Sequence, residues 1–289
     1  MSTPTPGKAA KPLESILGHA ALIAVSLVFA VPFVWLVLTS LKTNKEIFVD
    51  SALIFANPGL LLPGEWRWSN YLEAVREITF MRYTLNTLFV AAAGTLGMLV
   101  SCSLAAYGFA IVRWRWSNAM FLLMLATLML PPQVTMIPLF VLFQKLDWVG
   151  TYRPLIVPAF FGGAFYIFML RQFFRTVPRD LVDAARIDGC SHLDIYLRVV
   201  LPLSRPALAV VAFFTFTGYW NDFLGPLIYL NDDSKYTLSL GLQQFLGQHS
   251  ARWELLMAAS TLMILPIIII FFLLQRTFVQ GIAMTGLKG

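Results

Sequence analysis

Six stretches of this sequence are long, apolar and almost free of formal charge. Each is near the roughly 20 helical residues needed to cross about 30 Å of hydrocarbon. They run over about 20–41, 83–112, 117–144, 154–174, 206–231 and 255–275. Transmembrane strands are excluded, because those are about ten residues long and alternate in polarity. Composition agrees: 58% of residues are hydrophobic and 12% are charged, against about 25% charged in a soluble domain. An ordinary cytosolic enzyme, a disordered chain and a disulfide scaffold are all ruled out. The two cysteines, Cys102 and Cys190, suggest neither a disulfide nor a metal site. The fold class is an all-α integral membrane protein with six transmembrane helices.

An even number of spans puts both termini on one side. With that side cytoplasmic, the inner segments hold twelve of the 21 basic residues, including Lys8, Lys11 and the short Arg113/Arg115 turn. Charges close to span ends count most, so residues 1–19 and 276–289 read as cytoplasmic tails. The first span runs into Lys42 with no small-x-small cleavage site, and reads as a retained signal-anchor helix. The net charge of +6 then reflects orientation against anionic lipid rather than nucleic-acid binding.

The segment 175–205, between spans four and five, is too polar for membrane and too patterned for a linker. Pro178 suits a first helical turn, and Asp180 and Asp183 suit a positive helix N-terminus. Leu181, Ala184 and Ala185 share a face, and Gly189 supplies a turn. Ser191 with Asp194 three residues on makes a capping-box pattern, and Pro202 ends the second helix. The pattern is that of a helix-turn-helix at the cytoplasmic surface, with a small-residue face shaped for another protein.

These residues carry a resemblance. Asp183-Ala184-Ala185, three residues including Asp188, Gly189, nine residues, then Val199, Val200, Leu201 and Pro202 resemble the EAA coupling loop of bacterial ABC importer permeases. Asp183 stands for the pattern's Glu and Val199 for its Ile. Asn70-Tyr71, Asn86, Ala105-Ala106-Tyr107, Pro131, Ile137-Pro138-Leu139, Phe173-Phe174, Trp220-Asn221-Asp222, Pro226-Leu227 and the tail from Gln280-Gly281 to Lys288-Gly289 are similar to the carbohydrate-type, maltose-like permeases. The resemblance implies a permease subunit of a binding-protein-dependent importer. Its partners would be a second, homologous permease, two ATPase subunits and an extracytoplasmic solute-binding protein, with a carbohydrate as substrate. The chain has no G-x4-G-K-[ST] loop. ATP and magnesium therefore belong to partner subunits, this chain carries no cofactor, and it is not an enzyme. The loop around Asp183 to Gly189 would seat in an ATPase cleft.

Apart from Arg171 near the inner end of the fourth window, Asp222 is the only formal charge inside a window, beside Trp220 and Asn221. It reads either as a pathway group, since intramembrane carboxylates often face a route, or as a contact to the partner permease. Pro131 and Pro132 beside Gln133 mark a helix break, which reads as a cavity lining or as a kinked packing helix. Ala93, Gly97, Ser101 and Ala105 recur every four residues and read as a helix-packing stripe. In the outer segment between spans five and six, Gln243, Gln244 and Gln248 are candidate contacts to the binding protein. A secondary transporter would need paired intramembrane charges. Import of glycerol phosphate would prefer Arg or Lys within the spans, and the windows hold none apart from Arg171 near the inner end of the fourth.

Overall fold

The computed structural model of the chain describes residues 12–49, 57–247 and 251–286. Among them every regular element is helical. Four helices are long and apolar enough to cross a membrane, and the number reaches six when each of two sharply bent pairs is taken as one span. The chain divides into two compact units, residues 1–74 with 245–262, and residues 75–244 with 263–289.

The first unit contains α1 (Pro12–Ser40) and α2 (Ser69–Glu77). The apolar side chains of α1 are exposed along its length, Phe29 by 80%. A helix leaves its last carbonyls without partners, and α2 supplies them. Asn70 is buried and donates from Nδ2 to the carbonyls of Ser40, at 2.8 Å, and Lys42, at 2.9 Å. The hydroxyls of Ser40 and Tyr71 lie 2.7 Å apart. Asn70-Tyr71 is thus the clamp on the end of α1. Elsewhere in this unit Arg252 bridges Glu254 at 2.9 Å and Glu73 at 3.4 Å.

The second unit is built on α3 (Phe80–Ala110). It continues through α4 (Ser117–Ala126), α5 (Pro132–Lys145), α6 (Ala164–Phe174), α7 (Arg179–Ile187), α8 (His192–Ile195), α9 (Arg205–Trp220) and α10 (Leu224–Tyr229). The last helix, α11 (Trp253–Gly286), passes from the first unit into the second. Small residues on α3 let its neighbours approach. A Cβ on Gly94 would lie 2.6 Å from the Tyr219 ring of α9, and one on Gly97 would lie 2.7 Å from the Phe160 ring. Ser101 donates to the Ala159 carbonyl at 2.8 Å. Gly97 and Ser101 of the small-residue stripe therefore face the 3-10 turn Val157–Phe161 that precedes α6.

Four windows depart from single straight helices with the expected bounds. The third is bent by 97° between Met129 and Pro132, because Pro131 takes an extended backbone and Pro132 opens a new helix. The fourth is irregular in its first half: a helical turn and a 3-10 turn lead to Gly162, at φ +83°, before α6 begins. The fifth stops at Trp220, where the Asn221 side chain folds back and donates to the Thr217 carbonyl at 2.9 Å. The sixth begins at Trp253 and stays helical to Gly286, beyond the expected end at 275.

The α3 packing yields a paired stability test. Gly97→Val places side-chain atoms inside the Phe160 ring and should destabilise by about 1–3 kcal/mol. Gly108 has open space at its Cβ position, so Gly108→Ala should be neutral or gain about 0.5–1 kcal/mol. Melting of the purified variants in detergent measures both, and an equal response at the two sites would contradict this packing.

Candidate functional site

The segment expected to form a helix-turn-helix does so, and its joint explains the motif spacing. At the end of α7 the amide of Cys190 donates to the Ala185 carbonyl and that of Gly189 to the Arg186 carbonyl, both at 3.0 Å. This is a Schellman closure, which requires a left-handed residue at its C′ position. Gly189 takes it, with φ +79°. The three-residue interval between Ala185 and Gly189 is therefore the length of the closing loop. Open space surrounds a Cβ at Gly189, so backbone conformation alone selects glycine there. Ser191 then caps α8: its hydroxyl accepts from the Asp194 amide at 3.2 Å, while its own amide donates to the Asp194 carboxylate at 3.3 Å. Pro202 does not end the helix. It lies inside the turn Leu201–Leu203, and the chain bends at Ser204 instead. Having no N–H to offer, Pro202 comes after a π turn in which the Leu201 amide reaches the Tyr196 carbonyl.

One side of this hairpin is fixed to α3. Val182, Ile195 and Val200 are buried against Cys102, Ala106 and Phe174. The Tyr196 hydroxyl pairs with Ser103 at 2.7 Å, and the Tyr107 hydroxyl pairs with His192 Nδ1 at 3.0 Å. The Tyr107 and Tyr196 rings meet edge to face at 5.4 Å. Ala185 and Leu201 are partly buried on the same cluster. The outward side holds Ala184, Asp188, Gly189 and Pro202, with Asp183 at its edge toward the end of α3, all exposed. Among the described residues Asp183 is paired only with Arg186, at 3.3 Å, in an exposed i,i+3 contact. The expected common face of Leu181, Ala184 and Ala185 is therefore split, with Ala185 turned inward. Ile187 is 87% exposed at the tip and Leu193 is 60% exposed. Sequence reasoning passed over both, although an apolar residue beside Asp188-Gly189 at a surface turn was the available signal.

A second feature is an open groove of about 280 Å³ lined by Met98, Tyr166, Thr215, Gly218, Tyr219 and Asp222. Of the trio at the end of α9, only Asp222 reaches it. Trp220 is buried, donates to the Met263 carbonyl at 2.9 Å and stacks on Phe216 at 5.6 Å. Asn221 caps α9. Asp222 sits where the helix is broken: its carboxylate accepts from the Gly225 amide at 3.1 Å and its carbonyl accepts from the Ser239 hydroxyl. Tyr166 and Tyr219 were not singled out from sequence, because aromatic residues in apolar windows give no sign of which face they occupy. Gln133 is exposed on the first turn of α5 and is not among the groove residues.

In the outer segment Gln244 is engaged within the chain. Its Nε2 donates to Asp233 at 2.7 Å and to the Tyr83 hydroxyl at 3.0 Å. Gln243 is exposed, and Gln248 lies outside the described residues. Among the described residues no group of His, Cys, Asp or Glu is placed to hold a metal.

Residues 97–284 match the family model described as "Binding-protein-dependent transport system inner membrane component". The chain is 33% identical to the arabinooligosaccharides transport system permease protein AraQ of Halalkalibacterium halodurans, over 93% of this chain and 94% of the relative. It is 34% identical to the sn-glycerol-3-phosphate transport system permease protein UgpE of Pectobacterium atrosepticum, over 81% of this chain and 86% of the relative. In fold it is similar to a chain in the crystal structure of a bacterial ABC transporter that imports the acidic polysaccharide alginate. The TM-score is 0.76 at 21% identity, covering 96% of this chain and 100% of the other.

The hairpin geometry sets two expectations. Gly189→Asn should be tolerated, since Asn visits the left-handed region, whereas Gly189→Val should cost about 1–2 kcal/mol locally and speed hydrogen exchange at the Cys190 amide. Equal exchange in the two variants would contradict the Schellman closure. The Ser191 hydroxyl and amide hold the Asp194 carboxyl below its ordinary value of 3.8. A lowered folded value means that the cap is at full strength above 3.8 and is lost as pH falls below it. Protection of the α8 amides should decline with that fall in the native chain, and Asp194→Asn should abolish the dependence.

Proposed function

From the premise that the chain belongs to the family of binding-protein-dependent transport system inner membrane components, we propose that it forms half of the translocation pathway for a neutral carbohydrate and passes ATPase motion to that pathway through the hairpin at 175–205. The chain is a permease subunit of an ABC importer and is not itself catalytic; hydrolysis belongs to separate ATPase subunits. The complete assembly in this reading contains a second permease, two ATPase subunits and an extracytoplasmic solute-binding protein. The bilayer surrounds the spans, and both termini and the hairpin are cytoplasmic. The spans at about 20–41, 83–112, 117–144, 154–174, 206–231 and 255–275 form one transmembrane domain, with 1–19 and 276–289 as its tails.

The observation that carries the coupling role is the two-sided hairpin. Its inner side is locked to α3 by Tyr107, Ser103 and Tyr196, while its outer side presents Asp183, Ala184, Ile187, Asp188 and Gly189. A partner gripping the outer side moves α3 with it, which is the two-state rigid element that coupling requires. Leu201 and Pro202 close the hairpin onto α9 and transmit the same displacement.

The substrate reading rests on the groove. Two tyrosines, a threonine and one carboxylate suit the apolar faces and hydroxyls of a sugar. Among the described residues no Lys or Arg lines it. A glycerol phosphate or a polyuronate would meet the Asp222 carboxylate with no compensating cation, so the resemblance to UgpE does not extend to its named substrate. Gln243 is the exposed group offered to the binding protein, with Gln248 further along the same segment, whereas Gln244 acts as a brace. Trp220, Asn221 and Gln133 support the pathway or its contact to the second permease without lining the groove.

The assembled transporter tests both roles. Asp222→Asn should slow neutral-oligosaccharide uptake while the ATPase stays bound. Asp183→Lys should release the ATPase, and Asp183→Glu should retain it. Ala185→Trp should also disrupt coupling, by forcing α7 off its own core. Uptake and co-purification are the readouts. Wild-type uptake in Asp222→Asn would sink the groove assignment, and a fully retained ATPase in Asp183→Lys would sink the coupling assignment.

A further inference from the structure

A cavity of about 50 Å³ lies between the end of α3 and the inner edge of α7. One water needs about 10–15 Å³, so the space admits a larger group. Its apolar floor is Ala110, Ile111 and Val182, and its polar groups are Arg113, Arg179, Asp183 and Arg186. Arg179, Val182, Asp183 and Arg186 fall at i, i+3, i+4 and i+7 on α7 and so share one face. Three guanidinium groups face one carboxylate. That carboxylate, on Asp183, is already engaged by Arg186 at 3.3 Å. Arg113 and Arg179 have no carboxylate partner among the described residues.

The end of α3 absorbs little of the excess. Two of the last carbonyls of α3 are taken by other donors: Gly108 accepts from Trp114 Nε1 at 3.2 Å, and Phe109 accepts from Arg171 Nε at 3.2 Å. Two formal positive charges therefore remain at a small concave site. The level in the membrane is marked by the neighbouring turn, where Trp114 and Trp116 are 40% and 58% exposed. Indoles in such positions sit among lipid headgroups, which is the depth of phosphodiester oxygens. Guanidinium groups are suited to phosphate oxygens by their planar fork of donors.

We propose that Arg113, Arg179 and Arg186 form a binding site for a phosphate group at the base of the coupling hairpin, occupied by the phosphodiester of an anionic membrane lipid. The ligand bridges α7 to the turn after α3 and adds a lipid-dependent clamp to the hairpin.

The test is native mass spectrometry of the full-length chain in detergent, titrated with phosphatidylglycerol, phosphatidylcholine or inorganic phosphate. Wild type should retain one phosphatidylglycerol in preference to phosphatidylcholine. Arg113→Gln with Arg179→Gln should weaken that retention about thirtyfold, the worth of two basic residues near a headgroup. Arg113→Lys with Arg179→Lys, which keeps both charges, should lose much less and serves as the variant whose folding is least disturbed. Arg115→Gln is the control, because Arg115 lies over the Trp116 ring at 5.1 Å and does not line the cavity. Displacement of the lipid by inorganic phosphate at equal concentration would support the phosphate site and reassign its occupant to the cytosol. Equal weakening by Arg115→Gln, or unchanged retention in the double Gln variant, would overturn the site.

Discussion

The contact on which the hairpin depends is the seam between it and the inner end of α3. Tyr196 enters the protein carrying a hydroxyl, which must find a partner once away from water, and Ser103 supplies it at 2.7 Å. Val182, Ile195 and Val200 are buried in the same cluster as Tyr196. Tyr107 adds a second hydroxyl contact, to His192. Together these fix two short helices, neither of which is long enough to be stable alone. The outward display of Asp183, Ile187 and Asp188 is a consequence of how the inward side is bonded.

The same need to pair every polar group explains the broken helices. In hydrocarbon an unpaired carbonyl or amide costs several kcal/mol, so a break persists only where side chains or neighbouring backbone fill the gap. At the end of α9, Asn221 takes the Thr217 carbonyl and the Asp222 carboxylate takes the Gly225 amide. The break then turns Asp222 into the groove with Tyr166 and Tyr219, as a packed helix at that position would not. At Pro131 the bend leaves Leu130, Val134 and Ile137 exposed, a surface suited to lipid or to a second permease.

Much of this was legible in the sequence, and the reasons divide by distance along the chain. The apolar windows, the Gly189 turn and the Ser191–Asp194 cap are local patterns; the structure contains the turn and the cap, and it has four to six helical spans long and apolar enough to cross a membrane. The proline break at 131 was also legible, though its 97° angle was not, since proline fixes a local dihedral and leaves the direction of the next helix to packing. Long-range roles were hidden. Trp220 reads as a pathway aromatic beside Asp222, yet it is a strut because the Met263 carbonyl, 43 residues away, accepts its N–H. Gln244 reads as a free amide and is held by Tyr83 and Asp233. Ala185 reads as part of an outward small-residue face, yet Schellman closure at Gly189 and the burial of Val182 rotate it toward the core.

Coupling in this form requires the hairpin and α3 to move as one body. Spin labels at Ile187, on the exposed tip, and at Leu104, on an exposed face of α3, measure it directly in the assembled transporter, with Cys102 and Cys190 replaced. One narrow distance distribution is expected, unchanged between the resting transporter and the ATP-bound, binding-protein-engaged state. A second distance population, or a shift of several ångströms between those states, would show the hairpin moving independently of α3 and would contradict the account.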